Sequence, residues 1–392
     1  MDSRCDILIV GGGPAGGLAA LLLARAGRTV KLLEAHPVLG ERVCGGYLCP
    51  AGVGLLDDLQ LRGELTAGMR PLLGMQLVAP DGRRLRTRFP AGSRVPDFGI
   101  SLLRPWFDNA LLQAAARAGA TVRLGARMRS LHRVADCWIV ELQGGERIST
   151  RLLIGADGRK SRVARFLGLA TEPRQKRVAL HVDVPSLAET ESYGEMHVFH
   201  DGTYVGLNPI GKRTFNLSSL CGPHDLHQTT AMGFINQRIQ SSSHFRDRIA
   251  PLTHAARVSA TFPAAATVRD VVTENAALIG DASGFLDPLT GEGIYQALWT
   301  ARAMAEQVSA AWESDAQLNA ALRRYSAQRH RHHLGKRLCC QAFQGIIRRP
   351  RLTNTIHRLL SFREGIGDAF IGLIGNNYTP AQAAWNMMKA LT

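Results

Sequence analysis

The chain has 392 residues, 45% of them hydrophobic and 20% charged, which at about 150 residues per domain allows two or three domains and a core that needs no disulfide or metal staple. This composition excludes a disordered or fibrous chain. Lys plus Arg number 47 against 32 Asp plus Glu, a formal net charge of +15, so an anionic partner is expected: a nucleotide, a phosphorylated substrate or an anionic membrane surface. The longest apolar stretch near the start, Leu18 to Ala24, is far short of the roughly 20 residues of a membrane span. The opening Met-Asp-Ser-Arg-Cys-Asp lacks the basic start and long apolar middle of a signal peptide, and a cytoplasmic location is expected. The seven cysteines (Cys5, Cys44, Cys49, Cys137, Cys221, Cys339, Cys340) contain no Cys-x-x-Cys pair, which argues against a disulfide framework or a zinc ribbon.

In chain order, Cys5 to Val10 is a short apolar strand of the kind a doubly covered parallel sheet requires. Gly11-Gly12-Gly13-Pro14-Ala15-Gly16 follows it, Leu18 to Ala26 predicts a helix ending at Gly27, and Thr29 to Glu34 predicts a second strand. Gly11, Gly13 and Gly16 fill the three positions of G-x-G-x-x-G: tight turn, close approach of a pyrophosphate to the backbone, and packing of helix on strand. The phosphates would sit at the helix N-terminus, and Glu34 is placed to accept the ribose hydroxyls of an adenosine. These residues predict dinucleotide binding and leave FAD and NAD both open.

Further along, a helix is predicted over Pro105 to Ala118, with short strands at Thr121–Leu124, Trp138–Leu142 and Arg147–Ser149, and an apolar strand from Leu152 running into Gly155-Ala156-Asp157-Gly158. Residues 172–270 alternate as strands (Val178–Val184, Tyr193–His200, Thr203–Pro209, Arg213–Leu220) around one helix near Thr229–Gln240, which predicts an antiparallel sheet. An apolar strand returns at Ala276–Asp281, followed by a glycine-rich loop and a helix over Gly293–Ala311. The expected fold class is α/β: a Rossmann-like nucleotide domain (1–70, 101–170, 271–320) interrupted by a substrate domain (71–100, 171–270) and followed by a basic helical segment (321–392).

Three separated segments together resemble the FAD-binding set of the para-hydroxybenzoate-hydroxylase-like flavoproteins: Gly11-x-Gly13-x-x-Gly16 with Glu34, the Gly155-Ala156-Asp157-Gly158 turn, and Gly280-Asp281 with its following loop. Within that superfamily, Asp287-Pro-Leu-Thr-Gly291-Glu-Gly293-Ile294 and Arg42-Val43-Cys44-Gly45-Gly46 are most similar to the geranylgeranyl reductase family of FAD enzymes. The resemblance implies adenosine and pyrophosphate contacts at Ala15, Glu34 and Arg104, and a backbone contact to adenine near Met128. It also implies isoalloxazine or ribityl contacts at Cys44, Gly45, Asp281, Gly293 and Ile294, with Arg42, Asp157 and Gly291 in the same motifs. Arg104 has an alternative as a solvated arginine at a helix start. Physical chemistry agrees with FAD: Asp281 can accept a ribityl hydroxyl, and a helix starting near Gly291 to Gly293 can aim N–H groups at the flavin edge that becomes negative on reduction.

Where archaeal prenyl reductases carry Tyr-x-Trp-x-Phe-Pro, this chain has Tyr204-Val-Gly206-Leu-Asn208-Pro209, which changes the expected cavity wall. It contains no Trp-x-Trp of the halogenases, and where hydroxylases usually have Gly-Asp-Ala-Ala-His this chain follows Gly280-Asp281-Ala282 with Ser283-Gly284-Phe285. The favoured reading is a reductase of a hydrophobic prenyl or polyketide-like substrate, in which NAD(P)H docks transiently to reduce FAD, N5 delivers a hydride to a C=C bond and a nearby acid supplies the proton. Cys44 is the first candidate acid, on a flexible Cys-Gly-Gly backbone, with a packing role as its alternative; Tyr47 and Tyr204 are the other candidates. The alternatives are a FAD-dependent monooxygenase of an aromatic or polyketide substrate and an electron-relay or lipid-binding flavoprotein.

His181, His197 and His200 read as hydrogen-bonded structure, and His330, His332 and His333 as a solvated face with no metal expected. Arg323 to Arg363 carries eleven Lys and Arg and no Asp or Glu. It reads either as basic amphipathic helices touching anionic lipid or as a helical cap with a solvated face. No recognition motif accompanies the charge, so nucleic acid is not an expected partner.

Overall fold

Short apolar strands that must be covered on both faces build the first layer. The computed structural model describes residues 3–92, 95–173 and 176–391; Met1 and Asp2 of the amino-terminal reading lie outside them. Ser3–Val10 is the middle of five parallel strands, in the order Ala276–Leu278, Arg147–Gly155, Ser3–Val10, Val30–Leu33, Thr121–Arg123. Ile7, Leu8 and Ile9 are fully buried. The helices Pro14–Arg25, Arg104–Arg117 and Gly293–Ser309 pack around that sheet.

Two expected boundaries shift. The first helix starts at Pro14 rather than Leu18, because proline at the first helical turn fixes a helical φ and gives up an N–H that has no partner there. Arg147–Ser149 and Leu152–Gly155 are one nine-residue strand, whose first half pairs with Cys137–Leu142 and whose second half pairs with Ala276–Leu278.

The second sheet has seven strands in the order Ser259–Thr261, Val178–Pro185, Thr214–Cys221, Tyr204–Gly211, Tyr193–Val198, Gly74–Val78, Arg84–Arg88. It is not wholly antiparallel: Tyr193–Val198 runs parallel to Gly74–Val78, strands that meet across some 120 residues of chain. One face buries Val182, Leu217 and Phe215 against Phe234, Ile235 and Ile239 of the helix Ala231–Ser241. With period two, Tyr204, Gly206 and Asn208 turn to the other face, toward the nucleotide half.

The carboxy-terminal segment corrects the reading of its histidines. The helix Asp315–Ile347 buries Leu318, Leu322 and Tyr325, and the Tyr325 hydroxyl donates to Leu278 O at 2.8 Å. Arg329 donates to the carbonyl and hydroxyl of Ser283. His332 stacks on Trp299 with ring centroids 3.8 Å apart and planes 6° from parallel, and only His330 of the three stays exposed. Burial, with Lys336 and Arg329 beside them, pushes the imidazoles of His332 and His333 down to about 4 and about 3. Among the described residues no helix is long and apolar enough to cross a membrane.

Two expectations follow from this packing. A Cβ at Gly16 would stand 1.9 Å from the Gly11 carbonyl oxygen, so Gly16→Ala must push helix from strand; a loss of about 3 kcal/mol or more is expected in urea unfolding, and an unchanged midpoint contradicts the packing. The unfolded histidines take up protons near 6.5 while the folded His332 and His333 resist until about 4 and about 3. Between those pH values the unfolded state therefore binds more protons, and stability falls as pH falls. His332→Phe should flatten that slope; a pair on a solvated face would give no slope to flatten.

Candidate active site

The carboxyl ends of the parallel strands open into one cavity of about 850 Å³ that continues under the second sheet to the carboxy-terminal helices. Its nucleotide end begins at the glycine turn. Gly11 has φ +114°, and a Cβ there would lie 2.3 Å from Ala156 O, so only glycine lets the two strand ends approach. Gly13 has no atom within 4 Å of its Cβ position and precedes the helix without a side-chain cap, leaving bare N–H groups facing the cavity with Ala15 beside them. Gly16 alone of the predicted site residues does not line the cavity; it is where the helix packs on the turn.

Glu34 closes the second strand as expected and faces the cavity, but its oxygens already have partners. Oε2 accepts the Gly12 N–H at 2.8 Å and Oε1 accepts the His36 N–H at 3.0 Å and its ring nitrogen at 2.6 Å, with Arg42 at 3.4 Å. Burial raises its pKa, and these hydrogen bonds outweigh burial and hold it below the usual carboxylate range. Three of these donors fall on Oε1 and one on Oε2, and a carboxylate oxygen has about two acceptor sites, so a ribose hydroxyl can still be received at Oε2.

Asp157 lines the cavity, yet its carboxylate serves the fold: it accepts from Ser161 Oγ at 2.5 Å and from the N–H groups of Arg162 and Val163 at 2.7 and 3.1 Å, holding the start of the helix Arg162–Phe166. Arg104 is neither solvated nor free. It lines the cavity and grips Asp108 with two hydrogen bonds of 2.8 and 3.1 Å. Burial opposes its charge, and Asp108 and the Cys44 side chain more than restore it. Met128 is buried and lines the cavity. Asp281 lies 3.7 Å from Arg159 Nε; burial raises its carboxyl, opposed by Arg159 and Arg104.

The Cys44–Gly46 loop is not flexible. Asn208 Nδ2 donates to the carbonyls of Gly45 and Gly46 at 3.0 and 2.6 Å, and Asn216 Nδ2 donates to that of Cys44 at 3.0 Å. Gly46 turns with φ +59°. Both asparagines come from the second sheet, so the loop ties the halves together at the cavity. Sequence reasoning assigned Asn208 only to the cavity wall; an amide side chain within a strand pattern was the available signal. His181, which lies beside Asn216 Nδ2 at 2.9 Å, is structural as expected.

The three candidate acids all face the cavity. Tyr204 donates to Asp287 Oδ1 at 2.7 Å, and Asp287 also receives Gln344 Nε2 at 2.7 Å and the Leu289 N–H at 2.9 Å. Burial, then the Asp287 charge, pushes the Tyr204 phenol well up. The Tyr47 hydroxyl is buried with no partner among the described residues, its ring against Gly291; burial raises it as well. Gly293 and Ile294 open the helix Gly293–Ser309, and the preceding Glu292 binds Lys336 at 2.9 Å, Thr290 Oγ1 at 3.1 Å and Asn376.

Sequence reasoning missed a polar group on the second sheet. Glu195, which reaches the cavity, takes Arg248 on both oxygens at 2.6 and 2.9 Å, His197 at 2.9 Å and His244 at 3.0 Å. Glu195, His197 and His244 bring ligand-type atoms within 4.8 Å of one another. The guanidinium already sits where a cation would, which makes this a salt bridge rather than a metal site.

Replacing Asn208 by Leu removes two loop clamps at nearly constant volume. FAD affinity is expected to fall about tenfold, since about 1.4 kcal/mol is a factor of ten, with faster proteolysis at Arg42–Gly46; unchanged retention and cleavage contradict the clamp.

Comparison with known proteins places these features. The FAD binding domain family matches residues 4–339. The chain is 29% identical over 354 residues to the digeranylgeranylglycerophospholipid reductase of Methanosphaerula palustris, covering 86% of this chain and 84% of the relative. Among solved structures it resembles a geranylgeranyl bacteriochlorophyll reductase-like protein of Thermoplasma acidophilum (TM-score 0.75, 19% identity, 100% of this chain and 96% of the other). It resembles equally PqsL of Pseudomonas aeruginosa, described as a probable FAD-dependent monooxygenase (TM-score 0.75, 21% identity, 91% and 100%); at such identities the likeness shows the fold alone. The chain belongs to the FAD binding domain family and is a FAD-dependent oxidoreductase.

Proposed function

We propose that the protein saturates C=C bonds in a hydrophobic, isoprenoid-bearing substrate, using electrons from NAD(P)H. The observation that carries this reading is the continuity of the cavity: the end that fits a dinucleotide opens into a lobe walled by Leu77, Met196, Phe343, Ile346, Ile356 and Phe370, and an apolar lobe desolvates a hydrocarbon chain. The name of the methanogen relative, a reductase of a digeranylgeranylated lipid, supports the same substrate class.

In this reading the N–H groups at Gly13 and Ala15, with Arg42 and Arg104, receive the pyrophosphate, and Glu34 receives the adenosine ribose. Asp281 accepts from the ribityl chain, and the helix start at Gly293–Ile294 faces the flavin. When bound, FAD supplies the hydride at N5 after two-electron reduction. Cys44 then has the remaining task. Its thiol lies on the rigid loop beside the Arg104 guanidinium, and it gives its proton to the second alkene carbon and regains one from solvent. Tyr204 and Tyr47, whose phenols are driven toward holding their protons, act as walls.

Turnover with a geranylgeranylated phospholipid and NADPH under strictly anaerobic conditions tests the reading. A product heavier by two hydrogens for each bond saturated is expected. An oxygenated product formed only with O₂ uptake would reject reduction in favour of hydroxylation, and flavin reoxidation only by a protein acceptor, with no change in lipid mass, would show an electron relay. Cys44→Ala should lower turnover on the order of 10²-fold while Tyr204→Phe stays near wild type; the reverse order would move the acid to Tyr204.

A further inference from the structure

The helix Pro350–Leu360 has two faces with different surroundings. Thr353, Ile356, His357 and Leu360 line the cavity, and His357 Nε2 lies 3.2 Å from Leu77 O on the second sheet. On the outer side Leu352 and Leu359, seven residues apart, form one stripe that Phe362 extends; Leu359 and Phe362 are 61% and 72% exposed. Arg349, Arg351, Arg358 and Arg363 are exposed beside it. Arg363 donates to Ala390 O at 3.0 Å, which joins this stripe to the end of the last helix, Pro380–Leu391, where Trp385 and Met388 are 59% and 54% exposed.

The charges are of one sign. No Asp or Glu occurs between Asp315 and Glu364. The carboxylate of the neighbouring hairpin, Asp81, whose N–H donates to Asn354 Oδ1 at 3.3 Å, is paired with Arg83. Large exposed apolar side chains gathered on adjoining helices mark an interaction surface, and leucine and aromatics flanked by arginine are the make-up of a helix lying in a membrane interface. A second copy of the chain would set arginine against arginine.

We propose that this face docks the protein on an anionic bilayer surface. Leu359, Phe362, Trp385 and Met388 enter the boundary between headgroups and acyl chains, and Arg351, Arg358 and Arg363 meet lipid phosphates. Docking requires neither flavin nor a reducible bond, so it stands or falls apart from the proposed reaction. It also sets the cavity one helix, about 10 Å, from the lipid phase.

The test is flotation of the full-length protein with vesicles of phosphatidylcholine alone and of phosphatidylcholine with 30 mol % phosphatidylglycerol (about one lipid in three, enough to give a strongly anionic surface). Binding to the anionic vesicles is expected, with loss at high salt and little binding to neutral ones. The double variant Leu359→Glu/Phe362→Glu should reduce binding at least about tenfold. The exposed pair Arg351→Gln/Arg358→Gln, a gentler change, should reduce it by a similar factor, with FAD content unchanged in both. No binding to anionic vesicles, or full binding by the arginine pair, overturns the proposal. So does a concentration-dependent dimer that the Leu359/Phe362 variant abolishes, which would make the face a contact between copies.

Discussion

The close approach of bare backbone at the end of the first strand is the constraint on which the site depends. Gly11 sits against Ala156 and Gly16 against Gly11, at distances no side chain allows, so the first helix can begin immediately over the sheet and point its free N–H groups into the cavity. Free N–H groups at a helix start favour negative charge at that end. The +15 net charge is partly explained there, since Arg42, Arg104, Arg159 and Arg162 line it, each already engaged by a carboxylate or a carbonyl.

The second sheet acts on that end through side chains rather than through loops of its own. Asn208 and Asn216 hold the Cys44–Gly46 carbonyls, and Asp287 gathers Tyr204 of the sheet, Gln344 of the long helix and the backbone of its own loop. Glu292 does the same between the helix it precedes and Lys336. Three chain segments are thus fixed around the cavity by buried polar groups, each of which has partners. Hydrogen-bonded networks of this kind orient a site with little conformational freedom left in it.

The parts of the fold that depend on local pattern were legible in the sequence: the strand, glycine turn and helix, the acidic end of the second strand, and the strand period of residues 178–220. The residues that line the cavity were legible to the same extent, because motifs of glycine and aspartate record where backbone must come close. What was not legible is pairing between distant segments. The parallel contact of Tyr193–Val198 with Gly74–Val78, the four-way group on Glu195 and the stacking of His332 on Trp299 leave no trace in spacing. The histidines illustrate the reason. In a run of arginines they look solvated, and only the position of a helix some thirty residues upstream puts an indole over one of them.

The account stands on the cavity's capacity to hold one FAD per chain. Stripping the purified protein of flavin and titrating FAD back, followed by quenching of flavin fluorescence and by the visible spectrum, measures this directly. Saturation at one equivalent, with Gly13→Val abolishing it in a protein that still folds, is the predicted result; a colourless protein that leaves FAD fluorescence unchanged would contradict the account.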